Sequence, residues 1–553
     1  MKVQPVSPVR INCPPMSTSV TLSRDSNQAL GIGRFAVDFI SGSLGPGPSD
    51  KVLQRTLMFH TDSVVCGLSA LALQCNSPVV LRTEALEYRV SDPRKGAFVF
   101  GSNQQVWAEK AIVANSAAVR EWDSNGTNFG YRPELGNTAG EFGHNDFYPV
   151  VIAACQQREL DGATALKAMV LLDEIRGRLA EVFSLKTYKL DHVVHGAIAS
   201  AATYGALMGA SADQIESAIG MFVAHYTPWR AIRAGKQLSD SKGASAAIST
   251  EAAVLCMKRA MAGFVGPRDV FRNPEAIFRF FEPTTEGKDR WKEAGDSPFD
   301  LVLSHSGDDF AVMGMHFKLG LYEHQSAGAL QAVIDMVASH PEILEDGGSK
   351  VSKIEIVAYE PAFGIIGNPM KKEPKTRQSA DHSMAYIVAT LLRKAIDARE
   401  TLPSSPGAAP GTNVTDSIWK ALMLVPHDYA VDESAVFNPK TREIMDRIEF
   451  THGGAEYDAK YPDGIPTSVK VHLASGEVLD SGLVMYPAGH ARNTTANLHD
   501  IMEHKFKLLG GLALPDGPDT EPMLAKLNLM PALSAYELAE IYDIEIAHRA
   551  GID

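Results

Sequence analysis

"DHVVHGAIASAATYGALMGAS", residues 191–211, decides the fold. After Asp191, His192 and His195 the run is mostly Ala, Gly and apolar, with no charged stripe. A helix of this composition has no solvent face, and its small residues let neighbours approach closely, so it reads as the buried centre of a helical domain. The flanking segments agree. "GATALKAMVLLDEIRGRLAEVF" (162–183) is amphipathic and opens at Asp161 and Gly162. "SADQIESAIGMFVAHY" (211–226) starts on Ser211, a predicted N-cap. "GASAAISTEAAVLCMKRAMAG" (243–263) is a second small-residue helix, and "NQALGIGRFAVDFISG" (27–42) has helical spacing with glycines at its end.

The character changes further along. "PTTEGKDRWKEAGDSPFD" (283–300) is polar and reads as a linker. "SKVSKIEIVAY" (349–359) and "TSVKVHLASGEVLDSGLVMY" (467–486) alternate as strands do, the second turning at Ser475-Gly476. "QSAGALQAVIDMVASH" before the first of them and "HSMAYIVATLLRKAI" between them read as helices, and the Pro/Gly/Ala stretch 403–412 as a loop. After "YPAGHARN" (486–493) the helical pattern returns. The expected fold is therefore mainly α: an Ala-rich helix bundle built from both chain ends (26–300 and 486–553), with a smaller α+β domain inserted at 301–485. Residues 1–25, with Lys2, Arg10 and Arg24 among Ser and Pro, read as a disordered tail, with a weak transit peptide as the alternative.

With 553 residues the chain is too long for one compact core. A net charge of −14 argues against nucleic acid as partner but leaves room for a local basic pocket. Five scattered cysteines without a CxxC pair point to reduced thiols in the cytoplasm, or in the mitochondrial matrix if the tail is a transit peptide. No run of 18 apolar residues suggests a membrane span. The P-loop, GxSxG and HExxH patterns are missing, and nothing convincing matches GxGxxG after a strand.

Five polar clusters carry candidate chemistry. "YKLDHVVHGA" offers Tyr188, Lys189, His192 and His195; the two histidines share a helix face, but no third metal ligand stands beside them. "RAIRAGKQLSDSKGAS" gathers Arg230, Arg233, Lys236 and Lys242 in an otherwise acidic chain, suited to carboxylates. "HFKLGLYEHQSAG" holds Lys318, Glu323 and His324. "RQSADHSMAYIVA" holds Asp381 and His382, where capping by Ser379 or Asp381 accounts for part of the polarity. "EFGHNDFYP" places His144 between aromatics, downstream of Asp123, Asn125 and Thr127. Each cluster also reads as an ordinary cap, turn or polar network.

Taken in order, these stretches resemble the MmgE/PrpD family, and within it the 2-methylcitrate dehydratases. "NSAAVREWDSNGT" is similar to the family's NSAAxRxLDxxDT, "FGH" to its GHP, "YKLDHVVH" to HKIDHVAH, "SDSKGAS" to SxWKG-A, "ADHSMAYIVA" to ADHSLPYIVA, and the end of the last strand pair to YPxGHxRR. The resemblance spans about residues 30–510. It implies a helical domain plus an α+β lid with the site between them, a homodimer, a small di- or tricarboxylate as substrate, and catalysis without metal or organic cofactor. It implies dehydration of a 2-methylcitrate-like tricarboxylate to an alkene, with cis-aconitate-type decarboxylation or epimerisation of an iminodisuccinate-like dicarboxylate as alternatives. The site it implies uses His144 and His324 as acid and base, Lys242 and Lys318 on substrate carboxylates, Tyr188 as a donor and Asp123 as an orienting group. Thr127, Lys189, His192, Arg230 and Arg233 complete the expected binding set. Three departures, a longer Asp123–His144 segment, Asn145 in place of proline and Tyr188 in place of histidine, fall on the expected pocket.

Overall fold

The computed structural model describes residues 17–233, 237–280, 295–404, 413–517 and 519–553. Among the described residues nine α-helices occupy the first half: α1 (Gln28–Ser41), α2 (Asp50–Ala72), α3 (Asn76–Glu87), α4 (Ala108–Arg120), α5 (Tyr148–Arg158), α6 (Gly162–Val182), α7 (Val193–Met208), α8 (Ala212–His225) and α9 (Asp240–Met261). The mainly α reading holds. α7 is buried from Val193 to Gly205 and packs against α1, α5, α6, α8 and α9. Its small residues are sterically required: a Cβ on Gly196 would sit 2.0 Å from the Phe147 ring. Ser211 caps α8 in a full capping box with Gln214, and Asp161 caps α6 through the Thr164 amide.

Three two-stranded pairs decorate the bundle. β1 (Ser19–Leu22) runs antiparallel to β6 (Leu301–Ser304), so the tail expected over 1–25 is ordered from residue 17, and residues 301–304 join the helical body on α6. Ser19–Leu22 forms a strand because β6 supplies its backbone partners, a pairing across more than 270 residues that local composition does not reveal. β2 (Gly96–Phe98) pairs with β3 (Gln105–Trp107), and β4 (Thr127–Phe129) with β5 (Phe142–His144), placing Thr127 opposite His144 and Phe129 opposite Phe142.

The later sequence builds one four-stranded sheet in the order β10 (Val478–Asp480), β9 (Thr467–Leu473), β7 (Val351–Ala358), β8 (Ile448–His452); the β7–β8 pair is parallel and the others antiparallel. Gly476, at φ +91°, turns the β9–β10 hairpin where the sequence expected it. Among the helices of this half are Ala327–Ser339, which packs on β9, and Met384–Asp397, capped by Ser383 through the Tyr386 amide; Thr376 caps the short turn Arg377–Ala380. The caps are thus Ser383 and Thr376 rather than Ser379 or Asp381.

The chain end returns to the bundle. Helix Leu498–Ala513 packs on α2 and sends Lys505 into its interior, where Nζ reaches Asp62 Oδ1 at 2.6 Å and donates to the carbonyls of Ser124 at 2.7 Å and Lys318 at 2.9 Å. One buried ammonium so ties three distant segments together beneath the site. Of the expected linker 283–300 only 295–300 is described, and residues 405–412 of the expected loop lie outside the described residues. Among the described residues no single helix is long and apolar enough to cross a membrane, and Cys66, Cys75, Cys155 and Cys256 are buried and free.

Candidate active site

Helix α4 ends at Arg120, and the chain turns through Glu121 and Trp122 to Asp123, whose backbone takes the left-handed conformation at φ +50°. Such a φ is uncommon for a residue other than glycine and persists where the surroundings fix it. Here they do. Asp123 is fully buried and its carboxylate gathers cations from three parts of the chain: Arg120 and Lys318 on Oδ1, and Lys242 on Oδ2 at 3.1 Å. Lys318 Nζ also donates to the Asp123 carbonyl at 2.7 Å. His382 Nε2 lies 3.2 Å from Asp123 Oδ2, while its Nδ1 meets Asp381 Oδ1 at 2.5 Å. Burial alone would raise the Asp123 carboxyl, but Arg120, Lys242 and Lys318 together hold it well below the usual carboxylate range.

Two further layers support this hub. Arg377 pairs with Glu121 and reaches Asp553 at 2.8 Å and Asp381 at 3.6 Å. On the other side Arg120 Nε stands 3.5 Å from Asp146, which accepts a hydrogen bond from Asn125. The hub therefore consists of buried charges that are mutually paired, which burial demands.

Over the hub lies a cavity lined by Arg120, Phe142, His144, Arg230, Arg233, Leu238, Lys242, Glu323, Gln325, Ile365, Ile366, Lys371 and His382. Five of these side chains are cationic and only Glu323 is acidic, in a protein of net charge −14. Lys242 stands in the first turn of α9, whose helix dipole adds positive potential. Several polar atoms at the cavity are buried without a partner: both amide atoms of Gln325, His144 Nδ1 and Arg230 Nη1. Unpaired polar groups of this kind are costly to bury and become satisfied when a polar ligand enters.

The histidines and Glu323 differ in state. Burial, reinforced by Arg120 and Lys318, pushes His144 well below the usual imidazole value, so it is neutral near pH 7. His382 is brought down to about 4 by burial and then by Lys242. Glu323 is pushed up to about 7 by burial and by Asp123, so its carboxyl is poised to hold or release a proton near neutrality.

Of the residues expected from sequence, His144, Lys242, Arg230 and Arg233 line the cavity. Arg233 also clamps Asp191, with Nε at 2.5 Å, and Asp191 Oδ1 lies 3.4 Å from His192 Nδ1. His192 stacks edge-on against His144, ring centroids 5.4 Å apart, and so backs it. Asp123 and Lys318 sit behind the cavity wall, bound to each other. Thr127 contributes mainly backbone: its N–H and C=O pair with His316 at 3.0 and 2.6 Å, and its strand carries His144 in register. His324 is buried but does not line the cavity; its sequence neighbours Glu323 and Gln325 do.

Tyr188 and Lys189 do not line the cavity either. Tyr188 stacks on Phe183, centroids 5.4 Å apart, and Lys189 is exposed at φ +65°. The turn Leu185–Tyr188 ends there, and the left-handed Lys189 directs its side chain away while its carbonyl accepts from the Arg230 N–H at 2.8 Å. This segment positions Arg230 through backbone. Lys236 lies outside the described residues.

Arg120, Glu323, Gln325, Lys371 and His382 also line the wall; Glu323 and His382 stand in the candidate clusters without an assigned role, and Arg120, Gln325 and Lys371 are not singled out there. The first is inside the quoted "NSAAVREWD", and His382 inside "ADHS"; Glu323 and Gln325 flank His324. Asp123, Asp381 and His382 are close enough to ligate a metal, as are Cys75, Glu121 and Asp553. In both groups the carboxylates already face Lys or Arg, so an incoming cation would have to displace a paired ammonium or guanidinium.

Residues 37–289 match a family model described as the MmgE/PrpD N-terminal domain. The chain is 23% identical over 497 residues to the mitochondrial 2-methylcitrate dehydratase of Yarrowia lipolytica, covering 87% of this chain and 84% of that protein. It is 22% identical over 489 residues to the 2-methylcitrate dehydratase of Escherichia coli K12, covering 86% and 89%. It is also 24% identical over 361 residues to a fungal alkylcitrate dehydratase, phiI, covering 64% and 62%.

Proposed function

We propose that this chain is a member of the MmgE/PrpD family, whose N-terminal domain model matches residues 37–289, and that it is a hydro-lyase dehydrating 2-methylcitrate or a related tricarboxylate to an aconitate-type alkene. The observation that carries the reading is the cavity wall: five cations and unpaired polar atoms share its lining with the apolar side chains of Phe142, Leu238, Ile365 and Ile366. Cations hold the carboxylates, and the apolar lining residues suit an alkyl substituent.

The chemistry follows from the states of the groups. His144 is neutral and available to take the proton from the carbon next to a carboxylate; an arriving polyanion raises its affinity for that proton. Negative charge then builds on the carboxylate, where Lys242 and Arg120 oppose it. The hydroxyl leaves with a proton from Glu323, whose carboxyl titrates near 7. Asp123 and Lys318 hold Lys242 and Arg120 in place.

Incubation with 2-methylcitrate, citrate and cis-aconitate, with alkene absorbance and carbon dioxide followed separately, tests this. Alkene formed from 2-methylcitrate without carbon dioxide is the expected result. Carbon dioxide from cis-aconitate with no alkene from either citrate selects the decarboxylase alternative, and silence on all three overturns both. For assembly, the reading includes a homodimer; exposed Tyr226, Trp229, Phe264 and Val265 support it as apolar surface available for pairing, and light scattering of the purified chain measures it.

A further inference from the structure

Among the described residues of the cavity wall, Gln325 alone keeps both polar atoms of its side chain, Oε1 and Nε2, buried without a partner. The residue is 1% exposed. A carboxamide buried in this way has lost water from its acceptor and its donor together, and a ligand that offers the complementary pair removes that cost. The turn His324–Ser326 fixes its place. Glu323 Oε2 accepts the Gln325 N–H at 2.8 Å, so these two lining residues are tied to each other.

The rest of the wall says what group the amide takes. Arg120, Arg230, Arg233, Lys242 and Lys371 can only donate. His382 faces Asp381 through Nδ1 at 2.5 Å and Asp123 through Nε2 at 3.2 Å. His144 is assigned to the carbon-bound proton and Glu323 to the departing oxygen. A substrate hydroxyl also has a hydrogen to give, and Gln325 Oε1 is the acceptor left for it among the described lining side chains. In 2-methylcitrate and citrate the leaving hydroxyl shares its carbon with a carboxylate. That carbon presents a donor beside an acceptor, and the planar carboxamide presents an acceptor beside a donor, so two parallel hydrogen bonds are available.

We propose that Gln325 is the specificity-determining residue that recognises the hydroxyl-bearing carbon, Oε1 accepting from the hydroxyl and Nε2 donating to the carboxylate on the same carbon. The inference rests on the reading that a hydroxylated tricarboxylate occupies this cavity. The bond directions also prepare the departure of water. With its hydrogen turned to Gln325, the hydroxyl oxygen offers a lone pair to Glu323. Glu323 Oε2 is engaged as an acceptor by the Gln325 N–H, which leaves Oε1 to carry the carboxyl proton. The oxygen keeps the electron pair of the breaking C–O bond and takes the Glu323 proton. Water leaves with the hydrogen that Gln325 held, and Gln325 itself exchanges no proton. Tricarballylate has the three carboxylates of citrate without the hydroxyl, so it leaves Oε1 unpaired and is the molecule this wall rejects.

The test is isothermal titration calorimetry of the full chain with citrate and with tricarballylate, in a His144→Ala background that stops turnover. Citrate is expected to bind at least about tenfold more tightly than tricarballylate. Gln325→Met, of similar shape, is expected to bring the two within about twofold, and to weaken tricarballylate itself about threefold through loss of the Nε2 donor. Gln325→Leu replaces it if the methionine variant melts early. Equal binding of the two ligands with Gln325 in place, or a preference for citrate that survives its replacement, overturns the hydroxyl contact. Tricarballylate affinity untouched by the replacement overturns the carboxylate contact. Binding of neither ligand by a His144→Ala chain that melts normally overturns the tricarboxylate reading beneath the proposal instead.

Discussion

Two turns of this molecule carry polar motifs of similar appearance and opposite fates. "REWDSNGT" ends helix α4 and puts Asp123 at φ +50°, fully buried, under three cations. "LKTYKL" ends a 3-10 turn and puts Lys189 at φ +65°, exposed, with Tyr188 stacked on Phe183. Both use a left-handed residue to redirect the chain. The first aims charge inward, where the low dielectric makes every pairing consequential; the second aims it at water, where it matters little. Left-handed geometry and local polarity do not distinguish the two; long-range partners do.

The strongest way to break this contrast is Lys242→Ala. It removes a cation from both the hub and the cavity, and turnover is expected to fall by about a thousandfold, measured as kcat/KM. Next, Asp123→Ala leaves Arg120, Lys242 and Lys318 buried without their common counter-charge; a loss of about 3–5 kcal/mol in denaturant unfolding is expected. A smaller effect sharpens the role of burial itself. His60 is fully buried with no partner on either ring nitrogen, and burial pushes it down to about 3. In the unfolded chain it titrates near its ordinary value, about 6.5, so the unfolded state binds more protons between those values and stability rises with pH across that window. The contribution is complete above about pH 6.5 and is lost as pH falls below it, by about 1.4 kcal/mol per unit at most. His60→Leu is expected to flatten the acid limb of the stability–pH curve. Smallest of all, Lys189→Ala is expected to leave turnover unchanged, because only its carbonyl touches Arg230.

Much of the fold was legible because it is periodic. The Ala-rich 191–211 run, the Ser211 cap and the Ser475-Gly476 turn depend on neighbours within a few residues. The β1–β6 pair was not, since Ser19 meets Ser304 across nearly the whole first half of the chain. The site divides the same way. His144 and Lys242 stand in quoted motifs and reach the cavity. Lys318 also stands in one, yet serves Asp123 from behind, and His324 faces His316 while Glu323 and Gln325 take the cavity wall. A motif gives the segment; which of its side chains faces the ligand depends on one-residue differences in direction, set by Glu323 capping the turn His324–Ser326. In "ADHS" the polarity reads partly as capping by Asp381, whereas the cap is Ser383 and the neighbouring His382 completes the hub.

The most direct test sets the two turns against each other on one substrate: kcat of His144→Ala beside kcat of Tyr188→Phe, with 2-methylcitrate. His144 stands over the Asp123 hub and Tyr188 on the outward turn. A fall of at least about a hundredfold for the first and less than about twofold for the second is expected. Near-normal turnover in His144→Ala, or a larger loss in Tyr188→Phe, would contradict a buried cation cavity as the seat of the reaction.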